Sequence, residues 1–214
     1  MNDRQYGHLS TVEIGEALRA YAQAPLSDEQ LRSIALYLSL LNKWNRTIPL
    51  TSIEDEKEIV GRHFGESIFV SSLLPTQRGR LADVGTGAGF PGLPLKIISD
   101  DLEVTLIEPN TKKCAFLREV KEALKLSQVE IARTRYENFS TEQNFFDLIC
   151  SRAIGDHTHL LQWAKLTLKD TGHVLLWLGI DDSNAVSRNK EWQWELPVRI
   201  PESRRRVILI GRPK

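Results

Sequence analysis

The sequence predicts an α/β fold: a doubly wound, mostly parallel sheet with an N-terminal helical extension and a C-terminal antiparallel hairpin. Three observations predict it. Residues 1–75 read as helix after helix, and from Arg80 onward short β-branched or leucine-rich runs alternate with helical stretches, the texture of strand, crossover helix and parallel strand. The last two strand-like runs are joined only by Pro201-Glu202-Ser203-Arg204, too short for a parallel crossover, which needs about a dozen residues. A chain of 214 residues suits one main domain at 76–214 with an extension at 1–75.

The elements follow in chain order. Ser10 with Glu13 and Ser27 with Gln30 have the spacing in which a hydroxyl caps the first free amides and the later residue reaches back, so each marks a helix start. After the second, Leu31, Ile34, Ala35, Leu38 and Leu41 recur at three- and four-residue steps, one stripe of a helix running to about Trp44. A third helix is expected over 56–74, and the joint with the sheet at 75–79. Strands are expected at 80–85, 103–108, 129–133, 146–151 and 172–179, with helices at 93–99, 111–125 and 157–168. The hairpin pairs 195–200 with 205–210.

Composition narrows the function. The hydrophobic share of 41% is that of a globular chain. No unbroken apolar run exceeds five residues, as at 174–178, where a bilayer needs about 20, and the first residues lack the apolar stretch of a secretion signal. A cytoplasmic protein without a membrane partner is expected, and a monomer is favoured. The 28 basic and 28 acidic residues balance, so a polyanion must be met by a local patch. Cys114 and Cys150 sit in apolar runs without the paired spacing of zinc ligands; they read as core thiols, and no metal is expected.

The most informative segment joins the first predicted strand to the next helix: Asp83-Val84-Gly85-Thr86-Gly87-Ala88-Gly89-Phe90-Pro91-Gly92. Its glycines let the backbone turn with positive φ and let a ligand approach where a Cβ would collide. Open α/β sheets bind ligands at this carboxyl rim. Gly87, Gly89 and Gly92 form a literal G-x-G-x-x-G, which admits a nicotinamide dinucleotide. From Asp83 the loop reads better as D-x-G-x-G-x-G, the pattern methyltransferases use for S-adenosylmethionine (AdoMet), and the terminal hairpin favours the class I methyltransferase variant of the Rossmann-like sheet. Asp83, Gly85, Gly87 and Gly89 are therefore candidate cofactor residues. Glu108 ends the second strand, where a carboxylate can accept both ribose hydroxyls. The segment Arg135-Tyr136-Glu137 follows the third strand near an adenine position, or is an ordinary loop. Arg152 ends the fourth, facing an anionic partner or closing a salt bridge, with Glu137 as a possible mate.

At this point the sequence resembles the bacterial small-subunit ribosomal RNA methyltransferase G family, guanine-N7 methyltransferases also called the glucose-inhibited division protein B family. The signposts are Lys43-Trp44-Asn45, Leu50-Thr51-Ser52, Arg62-His63 followed by Glu66-Ser67, the run from Asp83 to Pro94, Lys112-Lys113, Ser151-Arg152-Ala153 and a closing basic strand. The resemblance implies that Gly85, Phe90, Tyr136, Glu137 and Arg152 contact AdoMet, with Glu108 at the ribose. It implies further that Arg62, His63, Arg135 and Arg205 lie at or near the face that meets ribosomal RNA on the small subunit, and Arg206 in the basic run 204–206 is read with them. That run is equally a solvated turn before an edge strand. The chain departs from the family pattern at Pro49, at Glu66 and Glu108 in place of aspartate, at Leu178 in place of a lysine, and at Arg206 in place of a histidine.

The activity so implied is methyl transfer from AdoMet to N7 of a guanine in 16S ribosomal RNA. N7 carries a lone pair and no proton, so no catalytic acid or base is expected; positioning carries the rate, and Arg152 is the nearest candidate for a direct role. Two other readings stay open: a ribosome-binding assembly factor with little turnover, suggested by Leu178 and Pro49, and an NAD-dependent oxidoreductase, which lacks an evident hydride-transfer partner.

Overall fold

The computed structural model describes residues 9–74, 78–152, 154–155 and 157–214. Part of the predicted joint at 75–79, and Ala153 after Arg152, lie outside them.

Both expected capping boxes are present. Ser10 starts α1 (Thr11–Leu18) and Ser27 starts α2 (Asp28–Asn45), each with its reciprocal Glu13 or Gln30 bond. Asp28 and Glu29 open α2 and Lys43 lies in its last turn, charges matched to the helix dipole. The third helix is not continuous. It breaks into α3 (Glu56–Ile59), a π-helical turn (Val60–Gly65), α4 (Glu66–Phe69) and a 3₁₀ turn (Val70–Ser72). In the wide turn the Glu66 amide bonds the Gly61 carbonyl, one residue further back than in an α-helix. The His63 carbonyl takes the Ser67 hydroxyl instead.

The remaining elements are β1 (Gly79–Val84), α5 (Gly92–Ile98), β2 (Leu102–Ile107), α6 (Thr111–Ala123), β3 (Val129–Ala132), β4 (Phe146–Ser151), α7 (His157–Thr167), β5 (Leu168–Gly179), α8 (Ile180–Val186), β6 (Trp192–Trp194), β7 (Val198–Arg199) and β8 (Arg206–Pro213). The strand order is β3-β2-β1-β4-β5-β8-β6, with β7 also paired to β8. The first five of these strands run parallel, and β8 lies antiparallel between β5 and the β6–β7 edge.

The expected hairpin is therefore present but divided. Val198 and Arg199 pair with Ile208 and Val207, while Trp192–Trp194 pair with 211–213. Between them Leu196 and Pro197 leave the ladder; Leu196 is 88% exposed, and proline has no amide to give.

Alternate residues of each strand supply opposite faces. Leu81, Leu148, Cys150 and Leu175 pack with Leu93, Phe116, Ile14, Ile34, Tyr37 and Leu41, so the N-terminal helices share one core with α5, α6 and the sheet. Ala82, Val84, Ile149 and Val174 face Leu160, Leu161, Ala164 and Trp192 on the other side. Cys114 and Cys150 are buried, their thiols against the Glu108 and Ala82 carbonyls.

Candidate active site

The order of crossovers reverses at β1, whose neighbours are β2 on one side and β4 on the other. That switch point is where an open α/β sheet leaves a crevice at its carboxyl rim. The register sets Val84 beside Ile107 and Asp83 beside Cys150. The loop after β1 thus emerges between Glu108 and Arg152.

The loop is pinned from three sides. Gly85 and Thr86 donate to the Ile107 carbonyl at 2.9 and 3.3 Å, and the Gly87 amide donates to Glu108 Oε2 at 3.0 Å. The other Glu108 oxygen takes the Asn110 amide at 2.8 Å. Beneath the loop, Asp83 Oδ2 accepts the Thr86 hydroxyl at 2.6 Å and the Gly92 amide at 2.8 Å, closing both ends of the turn. Asp83 is fully buried, so its carboxylate supports the loop from inside. Burial pushes its pKa up to about 6, against the pull of the Thr86 and Gly92 bonds and of the Arg152 charge.

The four glycines divide into two pairs. Gly85 and Gly87 have φ of +69° and +59°; a Cβ on Gly87 would meet nothing nearer than 3.9 Å, and one on Gly85 only Ile154 at 3.4 Å. They are partly exposed and line an open cradle beside the Glu108 carboxylate. A Cβ on Gly92 would reach Leu106 at 2.7 Å and Asp83 at 2.9 Å, and one on Gly89 would reach Leu93 at 2.6 Å and the Tyr37 hydroxyl. Those two are bare so that the protein can close on itself. Phe90 is likewise interior: its ring lies between Tyr37, with centroids 5.3 Å apart and planes at 3°, and His63, at 4.8 Å and 18°.

On the β4 side, Arg152 faces the π-helical turn. Its Nη2 donates to the Arg62 carbonyl at 2.9 Å and its Nη1 to the His63 carbonyl at 3.3 Å and Ser67 Oγ at 3.4 Å. It thereby ties the end of β4 to the backbone carbonyls of the wide turn. Its ionic partner is Glu66, 3.5 Å away and 1% exposed, rather than Glu137, which is exposed on the far side of the crevice. Arg206 joins the same carboxylate through Nε at 3.0 Å and Nη2 at 2.5 Å. It stands opposite Gly179 in the β5–β8 ladder, so a cation reaches the rim beside Leu178 from the neighbouring strand. Of the two late arginines expected at an RNA face, Arg205 is exposed and Arg206 is turned inward by Glu66.

His63 is held by Thr51 Oγ1 at 2.8 Å. Burial, helped by the Arg152 and Arg62 charges, lowers its pKa to about 3. Its ring is therefore neutral at physiological pH and brings no positive charge to a polyanion. Arg62 pairs with Glu58 at 2.9 Å on the surface. Arg135 and Glu137 are exposed, and Tyr136 packs edge-on against Trp163 at 5.8 Å. The structure thus brings Gly85, Gly87, Glu108 and Arg152 to one rim. Sequence reading missed Tyr37, Ser67 and the linking role of Glu66. Tyr37 sits beside the apolar stripe of α2, and the only local signal for the others was the Arg62-His63…Glu66-Ser67 spacing.

A sequence model described as rRNA small subunit methyltransferase G matches residues 30–203. The chain belongs to this family. Among the methyltransferase G relatives, the protein named ribosomal RNA small subunit methyltransferase G from Desulfitobacterium hafniense is 36% identical over 83% of this chain and 75% of its own length. The protein of the same name from Photobacterium profundum is 32% identical over 92% and 97%. Solved structures share the fold at lower identity. A SAM dependent methyltransferase from Aquifex aeolicus superposes with a TM-score of 0.64 at 14% identity, over 77% of this chain and 97% of its own. A ribosomal protein L11 methylase from Lactobacillus delbrueckii subsp. bulgaricus gives 0.61 at 15%, over 78% and 83%. The methyltransferase G match spans the whole glycine loop, Glu66 and Arg152. Among the described residues no helix is long and apolar enough to cross a membrane, and no cluster of metal-ligating side chains is present.

Proposed function

We propose that the chain transfers a methyl group from AdoMet to small-subunit ribosomal RNA, at N7 of a guanine. The observation that carries this reading is the open cradle at Gly85 and Gly87 beside the buried Glu108 carboxylate, in a chain of the methyltransferase G family. The cradle fits the cofactor on its own terms: left-handed Gly87 faces open space, left-handed Gly85 leaves room up to the Ile154 side chain, and an acceptor stands at the neighbouring strand end, where a ribose would offer two hydroxyl donors. Gly85, Gly87 and Glu108 are assigned to hold the nucleoside, and Tyr136 and Glu137 to flank its base. Arg152 closes the rim, its guanidinium engaged with the π-helical turn.

When bound, the cofactor supplies a methyl on a positively charged sulfur, open to attack by a lone pair. Guanine N7 brings that lone pair and no proton, so no residue of the chain has to accept one. The chain's work is orientation. Asp83 and Tyr37 fix the loop from beneath, the Phe90 and His63 rings wall the side that faces the N-terminal helices without adding charge, and Arg205, Arg135 and Arg62 offer exposed cations to the phosphates. Rate then comes from holding the two reactants in an attack geometry. A Rossmann-like site for NAD would place a diphosphate over the loop, whereas here the buried Asp83 stands directly under it.

Calorimetric titration with AdoMet and S-adenosylhomocysteine tests the cofactor half, and no heat of binding would falsify it. For the substrate half, tritium from labelled AdoMet is expected to enter unmodified small subunits or their RNA. Mapping modified guanines in cells with and without the protein should then reveal one N7-methylguanine that disappears with it. Label arriving on another base, or on none, sinks the nucleotide assignment.

A further inference from the structure

Nothing in the glycine motif calls for Tyr37, forty-six residues before Asp83 on helix α2. Yet the Tyr37 side chain is fully buried, and its hydroxyl donates to the Ala88 carbonyl in the middle of the loop. Its ring lies parallel to Phe90 and edge-on to Phe64 at 5.0 Å. The hydroxyl occupies the space that a Cβ on Gly89 would need. Position 89 is thus bare for two reasons: its φ of +94° is one that glycine adopts freely, and α2 reaches into the space a Cβ would need.

The loop backbone shows why this contact matters. Gly85, Thr86 and Gly87 are tied to β2 and Glu108, and Gly92 is tied to Asp83. Ala88 lies between these anchors at the crown. The Tyr37 hydroxyl holds the crown by a bond that lies wholly in the interior, where water cannot replace a lost partner. Burial, together with the Asp83 charge, keeps the phenol well above its usual pKa, so it stays a donor throughout the working pH range.

We infer that Tyr37 is a positioning residue for cofactor binding: by holding the Ala88 carbonyl, α2 sets the shape of the Gly85–Gly87 cradle. The inference rests on the AdoMet reading above. Tyr37 touches no reactant, and it acts through the loop.

The test compares Tyr37→Phe, which keeps the ring stack and removes only the hydroxyl, with Glu119→Ala. Glu119 ties the other end of the same helix to α6 by accepting Lys43 Nζ at 3.0 Å and Trp44 Nε1 at 2.7 Å, so its loss loosens α2 away from the loop. Each full-length variant is titrated with S-adenosylhomocysteine, assayed for methyl transfer, and followed by hydrogen exchange without ligand. Tyr37→Phe is expected to weaken binding about tenfold, the loss of one interior hydrogen bond. It should raise KM for AdoMet and not for RNA, and speed exchange in the peptide covering 84–93, while Glu119→Ala does none of these. Binding within twofold of the parent with unchanged exchange overturns the inference, as does an equal loss in both variants. If the parent itself binds no S-adenosylhomocysteine, the AdoMet reading falls. The exchange arm still decides the loop claim: acceleration confined to 84–93 in Tyr37→Phe supports it, and its absence overturns it.

Discussion

The two sides of the crevice are fastened to the N-terminal helices by different physics. On the β1 side, the glycine loop meets α2 and the π-helical turn through three stacked rings and a neutral hydroxyl. On the β4 side, one carboxylate, Glu66, is gripped by two guanidiniums from β8 and the end of β4. The first fastening is dry and uncharged, and it sets shape. The second is ionic and draws together three chain segments, so the penalty for losing one member is large. The comparison teaches that a glycine motif read as ligand-binding is half structural, and that an arginine read as ligand-binding has an internal partner.

The largest effect expected is at the ionic side. Glu66→Ala leaves Arg152 and Arg206 without their carboxylate, and removing one partner of a buried pair costs about 3–5 kcal/mol. Arg206 is partly exposed, which favours the lower end. Urea denaturation checks this, and Arg206→Met in the Glu66→Gln background should restore part of the loss. A change below about 1 kcal/mol would mean the rim is held by hydrogen bonds alone.

Next is pH, because the loop covers a buried acid and its neighbour is a buried base. The folded pKa of Asp83, about 6, lies above its ordinary 3.8. Between these values the folded state keeps a proton that the unfolded chain releases, so this group lowers stability as pH rises from about 4 to 6. The ring of His63, at about 3 against 6.5, works the other way and lowers stability as pH falls from about 6.5 to 3. Asp83→Asn should therefore gain on the parent by on the order of 2–3 kcal/mol between pH 4 and 7, and His63→Gln should gain on it as pH falls. A pH-independent difference in unfolding free energy for both variants refutes the assignment.

Much of this architecture was legible because its signals are local. The capping boxes at Ser10 and Ser27 and the strand alternation from Arg80 onward need only neighbouring residues. The glycine loop is likewise contiguous, and Glu108 follows from the strand end that carries it. What escaped is set by distance or by tertiary packing. The helix expected over 56–74 is interrupted by the π-helical turn at Val60–Gly65, whose Arg62 and His63 carbonyls receive Arg152 and the Ser67 hydroxyl, and nothing near residue 63 announces a partner some ninety positions later. Glu137, in the loop after the third strand, was the acid suggested for Arg152, while Glu66 arrives from another element. Residues Trp192–Trp194 were left outside the predicted strands because three residues carry too little pattern, and β8 supplies their pairing.

A smaller effect separates the two glycine pairs. Gly87→Ala should cost about 1 kcal/mol of stability for the left-handed backbone, yet abolish measurable AdoMet binding. Gly92→Ala, whose Cβ meets Leu106 and Asp83, should damage the fold itself, so thermal melts with and without ligand distinguish them. If Gly87→Ala binds normally, the cradle has been assigned to the wrong glycines. Smallest is Arg205→Ala. As an exposed side chain it should change stability by less than about 0.5 kcal/mol, while lowering the salt dependence of RNA binding by about one ion. An unchanged slope would remove it from the RNA face.

The reversed direction of β8 has a consequence of its own. In a fully parallel sheet the chain leaves each strand at the ligand side, and any insertion there must be spanned by a helix on its way back. Here the chain arrives at that side first, through the short bend at 201–205, and only then enters the sheet. The bend is itself fastened: Glu202 accepts the Tyr21 hydroxyl, Ser203 Oγ accepts the Arg206 amide, and the Arg205 carbonyl accepts the Ile180 amide. A corner held this way sets the exposed Arg205 in a fixed place at the sheet's ligand side, so its charge is aimed by the backbone rather than by a loose loop.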